Sequence, residues 1–261
     1  DLDLSGLSIL LDCANGATYS VAPKVFSDLG AKVETIGSSP DGININQNCG
    51  STNPDFLKEE IIKGSYDLGI AFDGDGDRIL IVNSEGEILD GDDILYILSK
   101  NLKADSGVVG TLMTNKALEI YFEKNDIPFL RADVGDKYVL QRLLEESWVL
   151  GGEPSGHIIC LDSAPTGDAI IAALNFLNVI KDNNFSVKKT LEGFKKFPQT
   201  LINLKVKNSN KIIISDKFWS EVTRIEKQLG KNGRVLIRPS GTEPLIRIMV
   251  ESDKTGASQD F

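Results

Sequence analysis

The sequence predicts an α/β protein: two related α/β mixed-sheet domains followed by a smaller α+β domain at the C-terminal end. Three observations carry this. Short runs rich in Val, Ile and Leu alternate with segments of helical period, as strands and covering helices do in a layered sheet. One strand–loop–helix–strand outline occurs twice at similar length, over residues 8–36 and again over 107–132. A Lys- and Asn-rich stretch, "KDNNFSVKKTLEGFKK" at 181–196, then separates these units from a tail of strands around one helix. Boundaries near 104 and 190 divide the chain into domains 1–104, 105–189 and 190–261.

Taken in order, "SILLDC" (8–13) reads as the first strand and "VAPKVFSDLG" (21–30) as a helix ending at Gly30, a residue free to take the left-handed turn that closes helices. "AKVETI" (31–36) is the next strand. "DLGIAF" (67–72) and "RILIV" (78–82) are apolar strands on either side of a short loop of aspartate and glycine. The second unit runs "GVVGTLMT" (107–114), a helix through "ALEIYFEKN" (117–125) and the strand "PFLRA" (128–132), with "WVL" (148–150) leading into Gly151. The tail holds "TLINLKV" (200–206), a helix through "FWSEVTRIEKQLG" (218–230), and the strands "RVLIR" (234–238) and "LIRIMVE" (245–251). Neither unit carries GxGxxG or GxxxxGK[ST] after its first strand, so dinucleotide or nucleoside triphosphate binding has no support.

A net charge of -10 argues against nucleic acid or an anionic membrane as partner, because both are bound through basic patches. Any anion must be caught by a local cluster. Cys13, Cys49 and Cys160 are odd in number and lack CxxC spacing, so a disulfide framework or zinc ribbon is not expected and the thiols read as core residues of a cytoplasmic protein. No run approaches the roughly 18 apolar residues of a membrane span, and "DLDLSG" lacks the features of a signal peptide. That opening, without an initiator Met, suggests that further residues precede it.

Three loops carry chemistry. In "AFDGDGDRIL" (71–80), Asp73, Asp75 and Asp77 are separated only by Gly74 and Gly76, whose freedom lets the three carboxylates converge. Such a cluster calls for a hard cation, Mg2+ or Ca2+, and three carboxylates leave positions on Mg2+ for phosphate or water. An EF-hand loop starting at Asp73 fails, because Arg78 and Ser84 stand at its required Gly and Glu positions. In "GGEPSGHIIC" (151–160), Glu153, Ser155 and His157, the only histidine, fall at alternate positions; in an extended segment they would share one side, suited to sugar hydroxyls and to proton transfer. In "RPSGTEPLIR" (238–247), Ser240, Gly241 and Thr242 offer hydroxyls and N–H groups between Arg238 and Arg247, a nest for a phosphate.

These loops in this order, preceded by "DCANGA" (12–17) and "DGININQNCGST" (41–52), resemble the alpha-D-phosphohexomutases, nearest the bacterial branch that acts on amino-sugar phosphates. The resemblance covers nearly the whole chain. It implies Mg2+ at Asp73, Asp75 and Asp77, with Arg78 near the transferred phosphoryl group. It also implies sugar contacts from Glu153, Ser155 and His157, with His157 a candidate proton acceptor, and phosphate contacts from Arg238, Ser240, Gly241, Thr242 and Arg247. "VGDKYV" (134–139) resembles a family loop that senses the sugar's orientation, with Lys137 where arginine is more usual. The implied reaction interconverts glucosamine 6-phosphate and glucosamine 1-phosphate through a phosphoserine and a 1,6-bisphosphate; glucose or mannose phosphates, or silent sugar-phosphate binding, are alternatives. The family's phosphoserine lies in a Thr-Ala-Ser-His-Asn type motif of its first domain, and no such motif occurs here. The expectation is therefore a chain that corresponds to the second, third and most of the fourth family domains, with a first domain as its partner and no turnover alone.

Overall fold

The computed structural model describes residues 2–205, 216–239 and 244–253. Two compact units emerge, one of residues 1–114 with 126–193, the other of 115–125 with 194–261.

The first unit holds two sheets. Strands β1 (Ser8–Asp12), β2 (Lys32–Ile36), β3 (Leu68–Phe72), β4 (Ile79–Asn83) and β5 (Ile88–Leu89) pair in the order β2-β1-β3-β4-β5. The first three are parallel, β4 turns back antiparallel to β3, and β5 runs antiparallel to β4. Helix α1 (Val21–Asp28) connects β1 to β2, and α2 (Asp55–Lys63) packs Leu57 and Ile61 against Leu10, Ala71, Leu80 and Val82. The alternate residues Ile9, Leu11, Ile70 and Ile81 are buried as well. Burial of both faces is why these strands read as continuous apolar runs rather than as alternation.

The second sheet contains β6 (Val108–Thr111), β7 (Phe129–Ala132), β8 (Leu150–Gly152) and β9 (Ile158–Cys160) in the order β7-β6-β8-β9. It repeats the plan of the first: the leading strand is central, its parallel neighbours flank it, and a fourth strand returns antiparallel as a hairpin. The two α/β units are thus related in topology, as the sequence outline implies. Helix α3 (Gly91–Ser99), buried along its whole length, packs on β8 of this second sheet. The helix precedes the expected boundary near 104 and packs more extensively on β8 than on β5 of the first sheet. The chain between β6 and β7 passes through α4 (Lys116–Lys124), and α5 (Asp136–Glu146) covers Val109, Ala132 and Ile159 with Val139 and Leu143. Helix α6 (Ala169–Ile180) packs on β9 and on α3, and a single turn, α7 (Val187–Thr190), follows.

The second unit is an antiparallel sheet of β10 (Gln199–Lys205), β11 (Gly233–Pro239) and β12 (Leu245–Ser252), ordered β10-β12-β11, with α8 (Asp216–Leu229) beside β11. Helix α4 belongs to this unit. Glu251, fully buried, accepts the Lys116 N–H at 2.9 Å and the Gln199 amide at 2.7 Å and pairs with Arg234. Asn115, the N-cap, exchanges two hydrogen bonds with the Phe197 backbone, each of 3.0 Å. The helix period of 117–125 marks an apolar face but not the surface that face meets; the helix falls within the second domain expected from the sequence, and its contacts group it with the second unit.

All three cysteines are buried and unpaired, and burial pushes the thiols of Cys13 and Cys160 up to about 12 and about 11. Such thiols are inert core residues. Among the described residues no helix is long and apolar enough to cross a membrane.

Candidate functional site

The loop between β3 and β4 is a tight turn organised by its own first carboxylate. Oδ1 of the buried Asp73 accepts the N–H groups of Gly76, Asp77 and Arg78, each at 3.1 Å, and Oδ2 accepts Arg78 Nε at 2.6 Å. Gly76 sits at φ +78, a left-handed conformation that a side chain would strain. Gly74 serves differently: its Cα face lies against the side chains of Ile45 and Asn46, with no room for a Cβ. The result brings carboxylate oxygens of Asp73, Asp75 and Asp77 within 4.8 Å of one another.

Their environments differ. Burial alone would raise Asp73, but the Arg78 backbone N–H and guanidinium outweigh it and hold its carboxyl below the ordinary value. Asp77 is pushed up, first by burial and then by the charge of Asp73, with His157 partly offsetting both. The donors suit a hard divalent ion. They are all carboxylate oxygens, the donor type a hard cation takes, and Asp77 Oδ1 is buried without a hydrogen-bond partner. Asp73 Oδ2 retains a second lone pair beside its bond to Arg78.

The loop between β8 and β9 occupies the same place in its sheet as the Asp loop does in the first. The expected alternation of Glu153, Ser155 and His157 along an extended segment does not occur. Residues 153–157 form a turn closed by Glu153 N–H to the His157 carbonyl at 3.0 Å, with Gly156 at φ +91. Ser155 is consequently exposed at the tip, Glu153 is half-buried, and His157 is buried at 7% exposure. Pro154 and Gly156 favour a turn over a strand, and a turn breaks the two-residue period.

The two hairpins meet. Arg78 and His157 form an antiparallel bridge, Ile79 N–H donates to the Gly156 carbonyl at 3.1 Å, and His157 Nδ1 donates to Asp77 Oδ2 at 3.1 Å. The far side of the imidazole faces Gly167, where a Cβ would collide with Nε2. Gly91 N–H donates to the Pro154 carbonyl at 3.2 Å and Gly135 N–H to Glu153 Oε1 at 2.9 Å. Gly91 and Gly135 thus anchor the turn; sequence reasoning misses Gly91, whose only signal is a lone glycine at a helix start, and touches Gly135 only as part of "VGDKYV".

Lys137 stands not in a loop but in the first turn of α5, exposed, with its ammonium 4.7 Å from the Tyr138 ring centroid. Of the segment resembling the family motif, only Val134 and Gly135 precede the helix, with Gly135, at φ +131, as its N-cap. In the second unit Arg238 of β11 and Arg247 of β12 are directly opposed in register. Ser240, Gly241 and Thr242, the rest of the expected nest, lie outside the described residues.

Comparison with known proteins agrees with this architecture. Family models for phosphoglucomutase/phosphomannomutase match throughout: alpha/beta/alpha domain II over residues 2–86, alpha/beta/alpha domain III over 90–197 and the C-terminal domain over 201–260. A phosphoglucosamine mutase of Acinetobacter baumannii (strain AYE) is 52% identical over 252 residues, 96% of this chain and 57% of that protein. One of Hahella chejuensis is 50% identical over 256 residues, 97% of this chain and 58% of that protein. The chain therefore spans little more than half the length of these relatives. Among solved structures, a phosphoglucomutase/phosphomannomutase family protein from Burkholderia thailandensis superposes with a TM-score of 0.82 at 24% identity, covering 100% of this chain and 60% of the other. Aspergillus fumigatus N-acetylphosphoglucosamine mutase, solved in complex with GlcNAc-6P and magnesium, superposes at 0.78 with 22% identity, covering 98% of this chain and 64% of the other. With three domain models matched in order along nearly its full length, the chain belongs to the phosphoglucomutase/phosphomannomutase family.

Proposed function

We propose that this chain supplies the metal-, sugar- and phosphate-binding portion of a phosphoglucosamine mutase, which interconverts glucosamine 6-phosphate and glucosamine 1-phosphate. The observation that carries this reading is the triplet of converging carboxylates, braced by the Glu153–His157 hairpin, in a chain half identical to such mutases. A phosphoserine from a domain outside this chain gives its phosphoryl group to the free sugar hydroxyl. The resulting 1,6-bisphosphate turns over, and its other phosphoryl group returns to the serine, so substrate and product differ only in which oxygen carries phosphate.

Asp73, Asp75 and Asp77 hold Mg2+, which when bound neutralises charge on the transferring phosphoryl oxygens. Asp73 fixes the loop through three backbone N–H groups and keeps Arg78 beside it, whose remaining guanidinium N–H groups are donors for the phosphoryl group. The Glu153 oxygen not used by Gly135, with the exposed hydroxyl of Ser155, binds sugar hydroxyls. His157, committed through Nδ1 to Asp77, orients that ligand in the manner of an outer-shell partner. Arg238 and Arg247 hold the non-reacting phosphate and so position the hydroxyl for attack.

Calorimetry with glucosamine 6-phosphate in the presence of Mg2+ tests the reading. Arg247→Ala should weaken binding by about 1.5 to 3 kcal/mol, the value of a hydrogen bond to a charged group, while unphosphorylated glucosamine is unaffected. Equal losses for both ligands would refute the assignment of Arg247 to phosphate.

A further inference from the structure

The turn "DCANGA" after β1 has no task in the function proposed above. Its first residue, Asp12, is the last of β1 and is fully buried. One carboxylate oxygen accepts the Ala14 N–H at 3.0 Å and the other the Gly50 N–H at 2.7 Å. Two glycines seal it: a Cβ on Gly37 would meet Asp12 Oδ1, and one on Gly50 would meet Ala14 Cβ and the Phe72 carbonyl. Four non-glycine residues of these two turns, Ala14, Asn15, Asn46 and Asn48, have left-handed backbones. A buried carboxylate and repeated backbone strain both cost stability, and such features persist where surrounding structure holds them for a purpose.

Both turns lead to the Asp loop. From Ala14 the chain continues to Ala17, whose N–H donates to the Gly74 carbonyl at 2.8 Å, while Gly16 is packed so closely on Gly74 that no Cβ would fit. From Gly50 the next N–H, of Ser51, donates at 2.8 Å to the carbonyl of Phe72, the residue before Asp73. The turns are also tied together, Asn46 N–H donating to the Ala14 carbonyl at 2.8 Å, and the side chains of Ile45 and Asn46 close on Gly74. Gly74 thus has protein packed around it on account of two turns that share one carboxylate.

We propose that Asp12 is a positioning residue for the metal loop, clamping the turns at 13–17 and 44–51 around Gly74 and thereby setting the separation of the Asp73 and Asp75 carboxylates. The inference rests on the reading of that loop as a Mg2+ site. Asp12→Asn replaces one acceptor oxygen with an NH2 group that faces an N–H donor, so one of the two turns is released with almost no change in volume.

The experiment is calorimetric titration of Mg2+ into the parent chain, Asp12→Asn and Ile61→Ala, with folding checked by circular dichroism. Ile61 is a buried core residue on α2, so its truncation destabilises the same sheet without touching either turn. Asp12→Asn should weaken Mg2+ about tenfold or more, the loss typical of removing a partner that orients a metal ligand, and Ile61→Ala should leave the affinity unchanged. If Asp12→Asn binds like the parent, or Ile61→Ala weakens Mg2+ equally, Asp12 is merely structural. A parent that does not bind Mg2+ removes the metal reading and this inference with it. Should Asp12→Asn fail to fold, amide NMR of the parent decides: the Ala14 and Gly50 resonances should shift on Mg2+ saturation, and unmoved resonances would overturn the clamp.

Discussion

Asp73 and Asp77, four residues apart, are driven in opposite directions by the turn they share. Asp77 is raised from 3.8 by burial and by the neighbouring charge, so the native chain takes up its proton at a pH where the unfolded chain is still ionised. Its charge therefore costs stability at neutral pH, and the cost fades as pH falls toward the ordinary carboxylate range. Asp73, held below 3.8, contributes stability that is present above that value and is lost as pH falls through its lower native value. In the presence of a chelator, Asp77→Asn should be more resistant to urea than the parent at about pH 7, and the advantage should shrink as pH falls toward 3.8. An advantage independent of pH would show that the charge of Asp77 is not the cause. The triplet itself is legible in sequence because three carboxylates within five residues need no tertiary knowledge. The partner of His157 is not, since inferring its direction required a strand where Pro154 and Gly156 build a turn.

Two elements of the same kind make the site. Each sheet ends in an antiparallel hairpin after three parallel strands, and the hairpin turns carry the Asp loop and the Glu153–His157 loop. The strands and their repeat are readable from composition and spacing. The packing partners of α3 and α4 are not, because a helical period reveals an apolar face but not its destination. Gly156 is where the hairpins touch: at φ +91, with a Cβ position that overlaps the Ile79 backbone. Gly42 supplies the control, having φ +93 with no heavy atom within 4 Å of its Cβ position. Gly42→Ala should cost about 1 kcal/mol from backbone strain alone, whereas Gly156→Ala should cost about 3 kcal/mol or more, because strain adds to a lost backbone hydrogen bond. Chemical denaturation of the two variants measures the difference, and equal costs would mean that the hairpin contact contributes nothing.

At the scale of the molecule, the family models account for three successive domains, while the relatives extend to nearly twice this length. In the function proposed above, Asp73, Asp75 and Asp77 hold the cation, Glu153 and Ser155 the sugar, and Arg238 and Arg247 the phosphate, while a serine outside these domains stores the phosphoryl group between the two half-reactions. A transfer site without a store should bind the intermediate and leave it whole. The most direct test is 31P NMR of glucosamine 1,6-bisphosphate mixed with the chain and Mg2+, with Asp75→Asn as comparison. Both phosphorus resonances should shift or broaden with the parent, the Mg2+-dependent part of that change should vanish in Asp75→Asn, and the bisphosphate should remain intact in both. Resonances unmoved by the parent, an Asp75→Asn variant indistinguishable from it, or steady conversion of the bisphosphate to monophosphate above a contaminant control would contradict the account.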